Sequence, residues 1–187
     1  MPVQRGLDHA LDEYLVLLAQ GGSREAFARL AARWTPKLAA FAARALGAKD
    51  AAMDVVQDTW ESAVRGLSRL EDPARFPAWI YAIAARKCTD ALRSKYRVRR
   101  VAAASEAHAA LNDAPRDAQT EAGDRLDLAT AIGALPPEQR IAVALFFGAD
   151  MSVGEIAAAT GAPAGTVKSR LFAARRTLRA HFEGEAS

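Results

Sequence analysis

The sequence is poor in the residue types that build disulfides and metal centres. It contains one cysteine, Cys88, which excludes an internal disulfide, and its three histidines lie far apart at His9, His108 and His181. None of these residues has a metal-ligand spacing such as Cys-x-x-Cys. A Gly-rich phosphate-binding loop is missing as well. The sequence therefore predicts a protein with no cofactor, no metal site and no catalytic residues, and so not an enzyme.

Long hydrophobic runs are also lacking. Half of the residues are hydrophobic (51%), but Arg, Asp or Gln interrupts every apolar cluster before it reaches the roughly 20 residues of a membrane-spanning helix. Residues 1–20 combine Arg5 with acidic residues around a short apolar stretch, which is typical of an amphipathic helix rather than of a secretion signal. We therefore expect no membrane insertion. With the lone cysteine, this favours a cytoplasmic location.

The net charge of +3 is distributed unevenly along the chain. Residues 20–97 contain 14 Lys and Arg against 8 Asp and Glu, whereas residues 98–127 contain 4 against 6. A localised basic surface is what a phosphate backbone requires of its partner. A solvated helix face is nevertheless the commoner meaning of any single Arg cluster.

Helix-start and helix-stop signals punctuate the first hundred residues. Ser23 can cap a helix that ends at Gly47, and Asp50 can cap a second helix that ends at Gly66. The pattern of the second helix predicts an apolar stripe and, outside it, an outward polar face that comprises Asp54, Gln57, Asp58 and Glu61. The residues of that stripe are Met53, Val56, Trp60 and Val64.

A third helix is predicted from about residue 77 to residue 97. Cys88 lies on its apolar stripe, which favours a small buried side chain over a reactive thiol. Residues 101–122 lack a sustained period and large apolar residues, as linkers do. No strand-like alternation occurs. The sequence thus predicts an all-α fold of two small helical domains, at 1–97 and 126–187, joined by a flexible linker at 98–125.

The strongest local pattern follows residue 151. Ser152 and Glu155 have the spacing of a capping box, Gly161 can end the short helix that they begin, and a second helix follows Pro163. This arrangement predicts a helix-turn-helix, whose second helix enters the DNA major groove. A helical hairpin with a solvated basic face is the alternative interpretation. The candidate DNA-binding residues on the second helix are Thr166, Lys168, Ser169, Arg170, Phe172, Arg175 and Arg176.

Two separated blocks of sequence resemble the extracytoplasmic-function (ECF) sigma factors of the sigma-70 family. The first block comprises Asp54-Val55-Val56-Gln57-Asp58-Thr59-Trp60 and Phe76-Pro77-Ala78-Trp79-Ile80, and resembles region 2. The second comprises Leu135-Pro136-Pro137-Glu138-Gln139-Arg140 and Gly165-Thr166-Val167-Lys168-Ser169-Arg170-Leu171, and resembles region 4. The order and separation of the two blocks make the resemblance specific.

The resemblance implies two macromolecular partners, core RNA polymerase and promoter DNA. Region 2 would dock on the clamp coiled coil of the largest polymerase subunit through Asp54, Gln57, Asp58 and Trp60. Region 4 would bind the upstream (−35) element and the polymerase flap. An anti-sigma factor often holds such proteins inactive, but no residue here identifies one.

The resemblance also assigns melting of the downstream (−10) element to the segment from residue 70 to residue 97. A base extruded from the duplex there needs stacking and charged partners. The candidates are Trp79, Arg86, Lys87, Arg93, Lys95 and Arg97, although Trp79 is better explained as a core residue.

Two departures from the family pattern limit what can be transferred. Arg86 stands where the family often has Asn, and Ala173 stands where a DNA-contacting Arg is frequent. The promoter sequence therefore cannot be inferred. Two other functions stay open at this point: a helix-turn-helix regulator that acts without being a polymerase subunit, and a module that binds only protein partners.

Overall fold

The computed structural model describes residues 2–105, 128 and 130–184, and every regular element in these ranges is helical. The first four helices are α1 (Pro2–Gln20), α2 (Arg24–Leu46), α3 (Lys49–Gly66) and α4 (Phe76–Ser105), with short 3₁₀ turns at Leu67–Arg69 and Pro73–Arg75. After a helical turn at 130–134 come α5 (Pro137–Val143), α6 (Val153–Thr160) and α7 (Ala164–Gly184). The all-α prediction is confirmed.

Local capping chemistry sets the ends of α2. The Ser23 hydroxyl accepts a hydrogen bond from the Ala26 amide at 3.2 Å, and Gly47 ends the helix with a φ of 69°. That positive φ is a conformation in which a side chain would be strained, so glycine suits the position. Both ends were predicted. The Asp50 cap was wrong: α3 begins at Lys49 after Ala48, and Asp50 lies within the first turn, where its charge favours the helix dipole.

Helices α2, α3 and α4 enclose an aromatic core. Trp34 packs edge-to-face on Phe76 and on Tyr81, with ring centroids 5.3 Å and 5.8 Å apart, and Phe41 packs in the same way on Tyr81. Such edge-to-face contacts add to the free energy that burial itself contributes. These rings fix α4 against α2.

The buried stripe of α3 is rotated from the predicted one. Met53 and Val64 are 53% and 62% exposed, whereas Val55, Val56 and the smaller residues Ala52, Thr59 and Ala63 are buried. The Thr59 hydroxyl donates to the Val55 carbonyl at 2.7 Å. A polar residue can therefore be buried here without an unpaired group. The outward polar face of Asp54, Gln57, Asp58 and Glu61 is confirmed as exposed.

Helix α4 is longer than predicted and continues to Ser105, into the range assigned to the linker. Residues 106–127, which contain most of the predicted linker, lie outside the described part of the chain. Cys88 is fully buried on the core side of α4, as predicted, and burial raises the pKa of its thiol to about 12.

A wide π-helical turn, Ala144–Gly148, follows α5. Ile141 and Leu145 are buried, but Phe146 and Phe147 are 37% and 77% exposed. The run of apolar residues from Ile141 to Phe147 would suit a buried helix, but the widened turn leaves its last two side chains exposed.

The two helical units share one core. Leu145, Ile156 and Val167 are fully buried in the same cluster as Leu38 and Ile80 of the first unit. Among the described residues, a small second cluster of Leu135, Val143 and Ala174 belongs to the second unit alone. The two units therefore pack directly on each other.

Candidate functional site

The helix-turn-helix is formed by α6 and α7. The Ser152 hydroxyl accepts from the Glu155 amide at 3.3 Å, and a Glu155 carboxylate oxygen accepts from the Ser152 amide at 2.7 Å, which completes the predicted capping box. Gly161 ends α6 with a φ of 66°. The seam of α7 is buried at Val167 and Ala174 and half-buried at Leu171 and Leu178, as its spacing indicates.

The predicted DNA-binding residues of α7 lie mainly on its outer side. Phe172 is 70% exposed on this side. Thr166 and Arg170 are half-buried, and Arg170 faces the first unit. The remaining members of the set are exposed: Lys168, Ser169, Arg175 and Arg176.

The polar face of α3 lies apart from α7 and is open to solvent. Asp54, Gln57 and Asp58 are exposed, and Asp58 forms a 3.7 Å ion pair with Lys87 of α4. Trp60 differs from these residues because its indole N–H donates to the Thr35 hydroxyl at 2.9 Å and its ring packs on Phe27. Trp60 thus holds α3 against α2 from a half-buried position.

The residues predicted to bind the downstream element lie on α4 and differ in their exposure to solvent. Arg86 and Arg93 are exposed, and Lys87 is half-buried through its pair with Asp58. Trp79 is half-buried and packs against the core, as expected for a residue that is more structural than DNA-binding. The side chains of Lys95 and Arg97 lie outside the described part of the chain.

A cleft of about 610 Å³ separates the outer side of α4 from the second unit. One wall contains Trp79, Arg86 and Arg93, and the other contains Glu138, Thr160 and Arg170. Residues from both predicted DNA-binding sets therefore face each other across this cleft.

An ion pair closes the cleft at one edge. The Arg93 guanidinium donates to Glu138 Oε1 from Nη2 at 2.8 Å and from Nε at 3.2 Å. The hydrogen bond from Arg93 lowers the pKa of the Glu138 carboxyl, and the nearby charge of Arg170 lowers it further. Glu138 thus stays ionised between arginines from the two units.

On the opposite side of the contact between the units, a second arginine, Arg44, forms a hydrogen bond across it. Arg44 Nη1 of α2 donates to the Gly148 carbonyl oxygen at 3.1 Å, at the end of the π turn. Between the two edges, Arg140 Nη1 donates to the Ala45 carbonyl oxygen at 3.3 Å in a buried position. A larger cleft of about 800 Å³ lies beside Arg44 and is lined by Asp8, Lys37, Tyr81 and Asp150.

Sequence reasoning missed these cross-unit partners. Arg44 and Gly148 are 104 residues apart, and Arg93 and Glu138 are 45 apart. A helical pattern reports which side of a helix is buried but not which distant residue meets a charged side chain. The sequence placed Glu138 within the region 4 motif, but no pattern in the sequence indicated that Arg93 would be its partner.

The described residues form neither a candidate metal site nor a candidate membrane span. No group of three or more His, Cys, Asp or Glu residues there could hold a metal ion. None of the described helices is both long and apolar enough to cross a membrane.

Comparison with protein families matches both blocks. Residues 30–98 match the model described as Sigma-70 region 2, and residues 125–178 match Sigma-70, region 4. The RNA polymerase sigma factor CarQ of Myxococcus xanthus is 32% identical over 158 residues, covering 84% of this chain and 90% of CarQ. The ECF RNA polymerase sigma-E factor of Escherichia coli is 31% identical over 176 residues, covering 89% of this chain and 92% of its own.

Solved structures show the same architecture. CnrH, in complex with the cytosolic domain of CnrY, has a TM-score of 0.67 at 31% identity and matches 93% of this chain and 98% of its own. The sigma factor RpoE of Bartonella quintana, in complex with the anti-sigma factor NepR, has a TM-score of 0.62 at 28% identity, covering 84% of this chain and 96% of its own.

Proposed function

This chain belongs to the extracytoplasmic-function sigma factors of the sigma-70 family, which direct RNA polymerase to promoters, and we propose how its surfaces divide that work. Domain 1–97 binds core polymerase and opens the downstream element, and domain 126–187 binds the upstream element. Family membership disfavours a regulator that acts apart from polymerase. The chain contributes binding energy and no catalytic group, and it works in the cytoplasm with polymerase.

The exposed polar face of α3 is the proposed polymerase-binding surface. Asp54, Gln57 and Asp58 are all solvent-accessible on one helix, where carboxylate and amide groups can meet the basic surface of a coiled coil. Trp60 supports this surface by fixing α3 on α2. Because it is half-buried, it offers little exposed surface for direct contact with polymerase.

The outer face of α7 is the proposed binding surface for the upstream (−35) element. Lys168 and Ser169 lie in its first two turns, the part of a recognition helix that reaches base edges, and exposed Phe172 can meet a thymine methyl. Arg175 and Arg176 follow further along the helix and suit the phosphate backbone. The exposed face of this capped helix is the observation that supports the assignment most directly.

The downstream element is assigned to Trp79, Arg86, Lys87, Arg93, Lys95 and Arg97 of α4. Their guanidinium and ammonium groups would bind the phosphates of the separated strands, and the Trp79 ring would form the wall of a base pocket. An anti-sigma partner is also proposed, because CnrH and RpoE were each solved with another protein, which for RpoE is an anti-sigma factor.

Run-off transcription with core polymerase and a genomic promoter library tests the proposal. We expect transcripts from one promoter set that share an upstream and a downstream element. Asp54→Ala with Gln57→Ala should abolish core binding, whereas Glu25→Ala, an acidic control on α2, should not. Specific promoter binding by a dimer of the free protein, with no dependence on core enzyme, would contradict the proposal.

Substitutions in α7 separate base contacts from phosphate contacts. If Lys168 contacts a base, Lys168→Ala should relax the base preference at one position of the upstream element. Arg176→Ala should instead weaken binding to all DNA sequences alike, and should lower the slope of log affinity against log salt concentration by about 1. Arg29→Ala, an exposed arginine on α2, is the matched control and should change neither. A salt-independent affinity for promoter DNA would refute the α7 assignment.

A further inference from the structure

We propose that the cleft between α4 and the second unit is a binding site for a nucleoside phosphate, whose base stacks on Trp79 and whose phosphates pair with Arg86 and Arg170. This inference adds a small-molecule ligand to the proposed function and does not depend on it, because the free protein contains the whole site. It also gives a role to Arg170, which is half-buried toward the first unit instead of lying on the exposed face of α7.

The cleft has the size and the apolar lining of a small-molecule site. Its volume is about 610 Å³, within the range of about 300–1,000 Å³ that is typical of ligand pockets. Apolar side chains line it from both units, among them Ile83 of α4, Ile141 of α5 and Ala159 of α6. In such pockets a few polar groups select the ligand, so the polar groups of this lining indicate its chemistry.

Arginines line the cleft from both units. Arg93 is engaged by Glu138, to which its Nη2 donates at 2.8 Å. Arg86 of α4 and Arg170 of α7, in contrast, form no hydrogen bond or ion pair with any described residue. An arginine without a carboxylate partner can donate two parallel hydrogen bonds to a phosphate group. Each wall of the cleft therefore offers a guanidinium with free donors to a phosphate chain.

The ring of Trp79 is held in place where it borders the cleft. A Cβ added at Gly66 would lie 3.1 Å from Trp79 Cζ2, so a side chain at that position would press on the ring. Phe76 packs beside the ring, with centroids 5.9 Å apart. Trp79 is half-buried by these contacts and lines the cleft. A supported aromatic ring beside a cleft is suited to stack a nucleobase.

Trp79 and Arg86 are spaced for the two ends of one nucleotide. They line the same cleft from α4, seven residues and about 10 Å apart along the helix axis. A base on the Trp79 ring would direct its phosphates toward Arg86 and place its ribose against Ile83. Arg170 would meet the same phosphates from the opposite wall. The site thus needs both units, whereas the surface proposed for the downstream element uses α4 alone.

The acidic groups of the lining favour a nucleotide over a bare inorganic anion. The carboxylates of Asp90 and Glu138 border the cleft beside its arginines. Negative groups at this distance weaken the attraction for any small anion, so charge alone would hold a phosphate poorly. Stacking on Trp79 supplies further binding energy, which only a phosphate that carries an aromatic base can use.

Isothermal titration calorimetry on the full-length protein tests the ligand class. It compares ATP and GTP with their nucleosides and with inorganic triphosphate. We expect one-to-one binding of at least one nucleotide, about ten-fold or more tighter than its nucleoside and than triphosphate, because each of these lacks one half of the recognised groups. A Kd above about 1 mM for both nucleotides would overturn the site. Triphosphate that binds as tightly as the nucleotide would overturn it too.

Substitutions of the charged residues test the position of the site. Arg86→Ala and Arg170→Ala should each weaken nucleotide binding about ten-fold or more, the effect of a lost charge-assisted hydrogen bond. Arg29→Ala, which removes an exposed arginine of α2, is the control and should change the affinity less than about two-fold. Unchanged affinity in Arg170→Ala would show that the nucleotide uses α4 alone, and would overturn a site between the two units.

Asp90→Asn tests the charge balance with a gain of affinity, which misfolding cannot produce. Removal of this exposed carboxylate should tighten nucleotide binding about two-fold or more, whereas Asp54→Asn on the outer face of α3 should not. Equal effects of the two substitutions would indicate a response to net charge alone, and would overturn the assignment to this cleft.

Tryptophan fluorescence tests the stacking. The protein contains three tryptophans, Trp34, Trp60 and Trp79, of which Trp79 lines the cleft. Nucleotide should quench the emission of the wild type but not that of Trp79→Phe, whose ring can still stack and should keep the calorimetric affinity within about five-fold. Quenching that persists in Trp79→Phe would overturn the stacking on Trp79. Since no polymerase is present, failure of the nucleotide site would leave the run-off result intact.

Discussion

The ion pair between α1 and α2, in which the carboxylate of Asp12 is buried and Arg33 is half-buried, offers a stringent test of how this fold is held together. Arg33 Nε donates to Asp12 Oδ1 at 2.8 Å, and Arg33 Nη2 donates to Asp8 Oδ1 at 3.1 Å. The Asp12 side chain is only 4% exposed, and its hydrogen bond is the main reason that the pKa of Arg33 is raised. Removal of the guanidinium would leave the Asp12 carboxylate buried without its charged partner.

We expect Arg33→Leu to lower the free energy of unfolding by about 3 kcal/mol, the low end of the cost of leaving a buried carboxylate without its charged partner. Leucine and arginine have similar helix propensities, so α2 itself should not lose stability. For a protein of this size the change corresponds to a fall in Tm of about 6–12 °C. Thermal unfolding followed by circular dichroism measures it.

Arg179→Leu is the matched control. Arg179 pairs with Glu183 at 2.6 Å, a shorter distance than in the buried pair, but the two side chains are 74% and 63% exposed. Solvent screening should limit its effect to about 0.5 kcal/mol. Asp12→Asn combined with Arg33→Leu should recover more than half of the loss, because the uncompensated charge is gone. If Arg33→Leu and Arg179→Leu lowered the free energy of unfolding equally, the reasoning would be refuted, because burial of the carboxylate would then not determine the contribution of an ion pair.

Three further predictions concern single side chains. Because Cys88 is fully buried and its thiol pKa is raised to about 12, we expect alkylation at pH 8 only as fast as the protein unfolds; labelling of the native protein within minutes would contradict this. Ser152→Ala should cost about 1 kcal/mol in the unfolding free energy measured with urea, because the Glu155 amide loses its acceptor; Ser152→Asp, which can still cap, should cost clearly less. The pKa of the Glu138 carboxyl is lowered from the usual 4.5 by Arg93, so the ion pair should stabilise the contact between the two units at neutral pH and lose that effect as the pH falls through the lowered pKa; a distance between the units that stays constant through this acid range in the wild type, yet lengthens in Glu138→Gln at neutral pH, would contradict this sign.

Local rules predicted most of the helix ends. Ser23, Gly47 and the Ser152–Glu155 capping box act within four residues of chain, so their effect is visible in the sequence. The Asp50 cap failed because the helix begins one residue earlier: Ala48 has the extended backbone of a cap residue, and Asp50 lies inside the first turn.

The buried side of α3 shows where periodicity is insufficient. The predicted stripe followed large apolar residues such as Met53 and Val64, yet the small side chains of Ala52 and Ala63 are buried instead. Helix separation depends on the partner helix and is not encoded in α3 alone. Thr59 could be buried only because its hydroxyl has an acceptor one turn earlier.

The candidate surfaces were predictable as helix faces but not as a spatial arrangement. The exposed positions of Asp54, Gln57 and Lys168 agree with their helical phase. The pairing of Arg93 with Glu138 depends on how two domains meet, and such a pairing across distant residues leaves no periodic pattern.

The π-helical turn at Ala144–Gly148 takes up one residue more than an α-helical turn does. The wider turn absorbs that residue locally, so its loss would convert the turn to ordinary helix and leave the direction of the chain beyond it nearly unchanged. Met151, 7% exposed, would keep its place, and the contact between Arg44 and the Gly148 carbonyl is the interaction that a shorter turn would disturb most directly. Among related proteins, the length of this turn can therefore vary by one residue without reorienting the helix-turn-helix.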